Sequence, residues 1–226
     1  MTDAPEADAA PASWREQAVA RSLDPARARA EKRVQRFLEA ATELLASSPD
    51  REFTVQEVVE RSGQSLRSFY QYFAGKHELL LALFEEAVRG TAVHLEGVIA
   101  GEDDPLERLR LFADAYYRAC RPANIKSNSA NSAMAEFAQQ LLTKQPRAAA
   151  QAFAPLAALC EQLLDEAAEA GAIRPGLDHG QITGVILQAV MFSSFGDTIA
   201  GTPVTNTDQA ASNLWDLLVA GLAGTT

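Results

Sequence analysis

The chain has 226 residues, 47% of them hydrophobic and 22% charged, with 13 glycines and 10 prolines. Those proportions suit one or two globular domains and exclude collagen-like, low-complexity and wholly disordered chains. Thirty acids against twenty bases give a net charge of −10, which at first argues against nucleic acid or an anionic membrane as partner. Two cysteines forty residues apart, Cys120 and Cys160, form no CxxC pair and have no histidine beside them, so neither a metal site nor a disulfide framework is expected. The opening MTDAPEADAAPAS lacks a basic start and an apolar segment, and the longest apolar runs, such as LLLALF at 79–84, fall short of the roughly 20 residues that span a bilayer. No secretory signal and no transmembrane helix are expected, and the expected compartment is the cytoplasm.

Residues 1–13 hold three acids and no base among many Ala and Pro, and read as a disordered acidic tail. A basic extension follows over 14–30. Val34, Phe37, Leu38, Ala41, Leu44 and Leu45 then make one stripe of an amphipathic helix, with Asp24-Pro25 as its cap and first turn and SSPD at 47–50 as its stop. Thr54, with Glu57 three residues on, forms a capping box for a short second helix that Gly63 ends. SLRSFYQYF at 65–73 holds two more turns, Ala74-Gly75 breaks them, and Lys76 opens a long helix reaching toward Gly101. Asp104, Pro105 and Glu107 start another helix ending near Arg121-Pro122. Further helices are predicted over about 131–145, 147–170, from Asp178 onward, and along the Leu214–Leu222 stripe. No stretch alternates with period two for long enough to argue a strand. The fold class is therefore all-α, with about nine helices.

Two short helices joined by a glycine-containing turn make a helix-turn-helix, whose second helix enters the major groove while the first crosses the backbone. Turning Phe69 and Phe73 inward leaves Ser65, Arg67, Ser68, Gln71 and Tyr72 outward, a set of donors and acceptors with one guanidinium. Arginine binds guanine O6 and N7 in bidentate fashion, and Gln or Ser meets base edges or phosphates. Residues 61–76 contain Arg61, Arg67 and Lys76 and no acid. The charge also divides: 1–13 carry −3, 14–76 carry eleven bases against nine acids, and 77–226 carry −9. The acidic total thus belongs to the parts that need not dock on DNA.

The stretch FTVQEVVERSGQSLRSFYQYFAGKHELLLALF at 53–84 resembles the TetR family of bacterial transcriptional regulators. The landmarks are Thr54, Val58, Gly63, Ser65, Ser68, the YQYF block at 70–73, and Lys76 with Leu79 and Leu80 behind it. The resemblance covers about 50 residues. It implies a helix-turn-helix DNA-binding domain over 31–90, with the motif itself at 54–73, and an effector-binding and dimerisation domain over 91–226. It implies further that Ser65, Arg67, Ser68 and Tyr70 approach bases, and that Thr54, Tyr72 and Lys76 hold phosphates. The family pattern is broken at Val59, where alanine is usual, and at Gln64, where an apolar residue is usual. Leu66 stands at a usually polar position, where it replaces the missing apolar contact or touches a thymine methyl.

In the second unit Phe112, Tyr116, Tyr117, Phe137, Phe153 and Phe192, with Asn131 as a polar contact, are candidates for an apolar effector cavity; the same residues serve equally as core. Ile182, Val185, Ile186 and Ala189, with Leu214, Trp215 and Leu218, are candidates for a dimer face, and Gly184 beside them suggests close helix packing. The reading that results is a homodimeric repressor binding a pseudo-palindromic DNA operator and released by a small, largely apolar effector, with no cofactor. Two other classes compete. A small helical enzyme would need a catalytic constellation, and HExxH, CxxC, GxSxG and phosphate-loop signatures are missing. A protein-binding helical adaptor would bind without the steep salt dependence of DNA recognition.

Overall fold

The computed structural model describes residues 14–47, 52–120, 128–199 and 207–222. They form nine α-helices and no strand: α1 (Trp14–Ser47), α2 (Val55–Ser62), α3 (Leu66–Tyr72), α4 (Lys76–Ile99), α5 (Pro105–Ala119), α6 (Asn128–Lys144), α7 (Pro146–Glu169), α8 (His179–Ile199) and α9 (Thr207–Leu222). The expected acidic tail, the end of the SSPD stop and most of the polar segment before α6 lie outside the described residues.

Most helix limits follow local chemistry. The Thr54 hydroxyl accepts from the Glu57 N–H while the Glu57 carboxylate takes the Thr54 N–H, a complete capping box. Gly63 closes α2 in the left-handed region at φ 65°, where a side chain would be strained. Asp104 caps α5 with Pro105 in its first turn, and the Asp178 carboxylate accepts from the Gln181 N–H as α8 begins.

The first helix departs from expectation. Asp24-Pro25 does not start it; α1 runs unbroken from Trp14 with Pro25 inside, so the basic extension is the helix's own first half. Proline removes one ladder hydrogen bond, but good helix formers flank it, and the Arg27 guanidinium donates to Glu31 one turn on, at 2.8 Å.

Two cores result. The small one joins α1, α2, α3 and the first turns of α4 around Phe37, Val58, Phe69, Phe73 and Leu79. Its rings meet edge to face: Phe37 to Phe69 at 5.4 Å and Phe37 to Phe73 at 6.1 Å. The large one runs through α4 to α9, with Leu95, Leu109, Phe112, Leu163, Leu164 and Val190 fully buried. Helix α4 belongs to both, packing on α1 at its start and on α5 and α7 along its length.

Candidate nucleic-acid interface and effector clefts

The surface of α3 is set by what its core takes. Phe69 and Phe73 are buried against Phe37, and this turns Leu66, Arg67, Tyr70 and Gln71 outward. Tyr70 is 57% exposed, its ring edge-on to Phe69 at 5.4 Å, so it is a surface aromatic rather than core. Leu66, 43% exposed, is outside the core. It therefore does not replace the apolar contact missing at Gln64. Gln64 supplies a polar tie instead: its amide donates to the Arg33 carbonyl of α1 at 2.8 Å, pinning the turn to the first helix. Val59 is buried in the same small core.

Several predicted contacts also have structural duties. Ser65 is the N-cap of α3, its hydroxyl accepting from the Ser68 N–H at 3.1 Å. Ser68 is half-buried, and its hydroxyl lies 3.5 Å from the Gln64 side-chain oxygen. The exposed Thr54 hydroxyl donates to Glu57 at 2.9 Å within the capping box. Tyr72, expected outward, packs half-buried against the small core, because a seven-residue helix with Phe69 and Phe73 inward turns its flank toward α1 and α4 as well. Lys76 sits 4.9 Å above the Phe53 ring and 2.7 Å from the Glu52 carboxylate. The hydrogen bond and charge of Lys76 hold Glu52 below the usual carboxylate range. Arg61 donates to Glu43 at 3.2 Å, bracing α2 on α1. Arg67 thus stands as an exposed guanidinium among Ser65, Leu66, Tyr70 and Gln71 on the face that α3 shows to solvent.

The second unit holds two clefts. The inner one, of about 640 Å³, lies among α4, α5, α6, α7 and α8 and is lined by Phe84, Thr91, Tyr116, Cys120, Met134 and Leu156, among others. The outer one, of about 910 Å³, lies between α7 and α8 with Leu142 and Pro146 at the α6–α7 turn. Phe153 and Met191 line both. Of the predicted effector residues, Tyr116 and Phe153 therefore face a cleft. Phe112 and Tyr117 are buried in the large core; Tyr117 lends its carbonyl to the Ser194 hydroxyl at 3.3 Å. Phe137 is buried between His77 and Phe84. Phe192 is 45% exposed on the outer side of α8 and lines neither cleft. The side chain of Asn131 lies outside the described residues. Sequence reasoning missed Phe84, Thr91, Met134 and Met191, since each lies on a stripe that reads as ordinary helical core.

Both cysteines are free thiols in this unit, and burial pushes each up to about 12. Burial likewise raises the Tyr116 hydroxyl, which is hydrogen-bonded to Cys120. Among the predicted dimer residues only Val185 is largely exposed, at 58%. Ile186 is buried in the large core, because a helix packed on both α5 and α7 turns adjacent positions to opposite sides. Ile182, Ala189, Leu214, Trp215 and Leu218 are half-buried. Val185 and Phe192, two turns apart on α8, and Leu217, 72% exposed on α9, are the large apolar side chains those helices leave outside.

Residues 37–83 match the family model for bacterial regulatory proteins of the tetR family. The N-terminal unit is accordingly a TetR-family helix-turn-helix domain, the mark of a class of DNA-binding transcriptional regulators rather than of enzymes. The whole fold agrees. It resembles FadR of Thermus thermophilus, a TetR-family repressor solved with lauroyl-CoA, with a TM-score of 0.68 and 21% identity over 85% of this chain and 96% of that one. It also resembles RolR solved with resorcinol, with a TM-score of 0.65 and 18% identity over 86% and 89% of the two chains. FadR of Bacillus subtilis, solved with stearoyl-CoA, aligns with a TM-score of 0.60 and 16% identity over 83% and 98%. Comparison with curated proteins gives no match. Among the described residues no helix is long and apolar enough to cross a membrane.

Proposed function

We propose that the protein is a homodimeric transcriptional repressor whose α3 reads a pseudo-palindromic operator and whose inner cleft binds a small, largely apolar effector that releases the DNA. The observation that carries this reading is the solvent face of α3: an exposed Arg67 flanked by Ser65, Leu66, Tyr70 and Gln71, held on an aromatic core by a complete cap and a left-handed glycine. In a dimer the two α3 helices must stand one helical turn of DNA apart, about 34–36 Å, or a multiple of it. The apolar outer sides of α8 and α9 at Val185, Phe192 and Leu217 suit the dimer contact.

A chain of contacts supports coupling between cleft and DNA. Phe153 in the cleft meets Phe84 at 5.3 Å, Phe84 meets Phe137 at 6.1 Å, and Phe137 meets His77 at 5.4 Å. His77 is also 2.9 Å from the Gln145 side chain at the α6–α7 turn, and it is the neighbour of Lys76. A ligand that displaces Phe153 or α6 thus acts on the start of α4, where the phosphate-holding lysine sits. By linkage, DNA and effector then weaken each other's binding. That relatives of this fold were solved with acyl-CoA or resorcinol is in keeping with an effector of mostly apolar character.

The test is fluorescence anisotropy with DNA from the protein's own upstream region, across a salt series. Affinity should fall steeply as salt rises. Arg67→Ala should weaken operator binding by about 1–3 kcal/mol and relax the preference at one base pair per half-site. Unchanged affinity and sequence preference in that variant would remove α3 as the reading helix.

A further inference from the structure

The outer cleft has features that packing alone does not explain. Its walls are built from small residues, Ala149, Ala150 and Ala157 on α7 facing Gly180 and Gly184 on α8. Close helix packing, expected from the sequence at Gly184, is not what the glycine provides: a β-carbon added there would meet nothing within 4 Å. The space is open. Thr183, only 3% exposed, lines this cleft, and its hydroxyl has no nitrogen or oxygen partner. Only the Cys160 thiol stands close enough to interact with it. A buried hydroxyl left in that state is costly unless something meets it.

The inner cleft is different, because its polar groups are already engaged. The Thr91 hydroxyl donates to the Ala87 carbonyl at 2.9 Å, and the Tyr116 hydroxyl is hydrogen-bonded to Cys120. Between the clefts stand Phe153 and Met191, which line both; a thioether side chain adapts its rotamer readily. No described residue lining either cleft carries a charge. Burying a charged ligand there would go uncompensated.

We propose that the two clefts form one elongated site for an uncharged amphiphile: a single hydrogen-bonding head group meets Thr183 in the outer cleft, and an apolar body passes Phe153 and Met191 into the inner cleft. The site rests on the reading of the second unit as an effector-binding domain and names the chemistry of what it takes. A primary alcohol with a linear chain has that chemistry in its simplest form, whereas a carboxylate of the same length brings a charge that the site cannot neutralise.

The experiment is calorimetric titration of the full-length protein with 1-hexanol, 1-octanol and 1-decanol, and with decanoate at neutral pH. Affinity should rise about fourfold per added methylene, with 1-decanol at least tenfold tighter than decanoate. Thr183→Val, which keeps the shape and removes the hydroxyl, should weaken 1-decanol binding about fivefold. Gly184→Leu should fill the outer cleft and abolish binding; because leucine favours a helix more than glycine does, its melting temperature should equal or exceed the wild type's. Binding by Gly184→Leu as tight as by the wild type, no gain with chain length, or a preference for decanoate would each overturn the proposal. Operator binding by the same preparations separates the two readings. Failure of the cleft proposal leaves DNA affinity intact, and failure of the DNA-binding reading leaves alkanol binding intact.

Discussion

The two units of this chain solve packing in opposite ways. Around α3 the core is small and aromatic, with Phe37, Phe69 and Phe73 edge to face and almost no exposure. Between α7 and α8 the facing side chains are alanines and glycines, and they leave a cleft that opens past Phe153 toward a second one. A reading head must hold a few side chains in one geometry, so it gains from interlocked rings. An effector domain must leave room for something else. The same all-helical vocabulary yields both, and side-chain volume at the contact decides which.

The comparison is broken most severely at the small core. Phe69→Ala should cost about 3–5 kcal/mol and abolish operator binding at ordinary temperatures, as read by urea denaturation and anisotropy. Phe153→Ala, half-buried beside open space, should cost less than half as much. Equal losses would mean that the two units are packed alike after all.

Alkaline pH separates the units next. Both thiols lie in the second unit and are held neutral there by burial, up to about 12, while an unfolded thiol ionises near 8.5. A folded pKa above the unfolded one gives stability that is complete below the unfolded value and is lost as pH rises toward the folded one. The urea midpoint should therefore fall between pH 8 and pH 10.5, and fall less in Cys160→Ala. An identical slope in that variant would remove the buried thiol as a cause.

Smaller still is the cap. Thr54→Ala deletes the hydroxyl that accepts from the Glu57 N–H and should cost about 1 kcal/mol, with a matching loss of thermal stability. The smallest expected effect sharpens the picture of the interface. Glu52 neutralises Lys76 at 2.7 Å from a fully solvated position, so Glu52→Gln should free the lysine for phosphate and tighten operator binding roughly twofold. Weaker binding in that variant would mean that Glu52 positions Lys76 instead of competing for it.

Legibility from sequence followed the same division. The helix-turn-helix could be read because its signals are local: a Thr-x-x-Glu box, a glycine at φ 65° and a serine cap act within four residues of themselves. Even there, two side chains were settled by neighbours distant in sequence. Gln64 reaches the Arg33 carbonyl thirty-one residues earlier, and Tyr72 leans on a core that its own helix does not reveal. In the second unit the helices were legible and their faces were not. Phe192 and Ile186 each sit on an apolar stripe of α8, yet the first faces outward and the second is buried.

By itself, then, the sequence determined an all-helical chain, a helix-turn-helix at 54–73 and a basic reading face within an acidic protein, because helix caps, glycine turns and charge are properties of short segments. Only the tertiary structure decided that Pro25 lies inside α1, that Tyr116 and Phe153 face clefts while Phe112 does not, and that Thr183 is buried without an oxygen or nitrogen partner. Helical periodicity shows that a stripe will be covered. What covers it, and whether the cover fits closely or leaves room, depends on helices a hundred residues away.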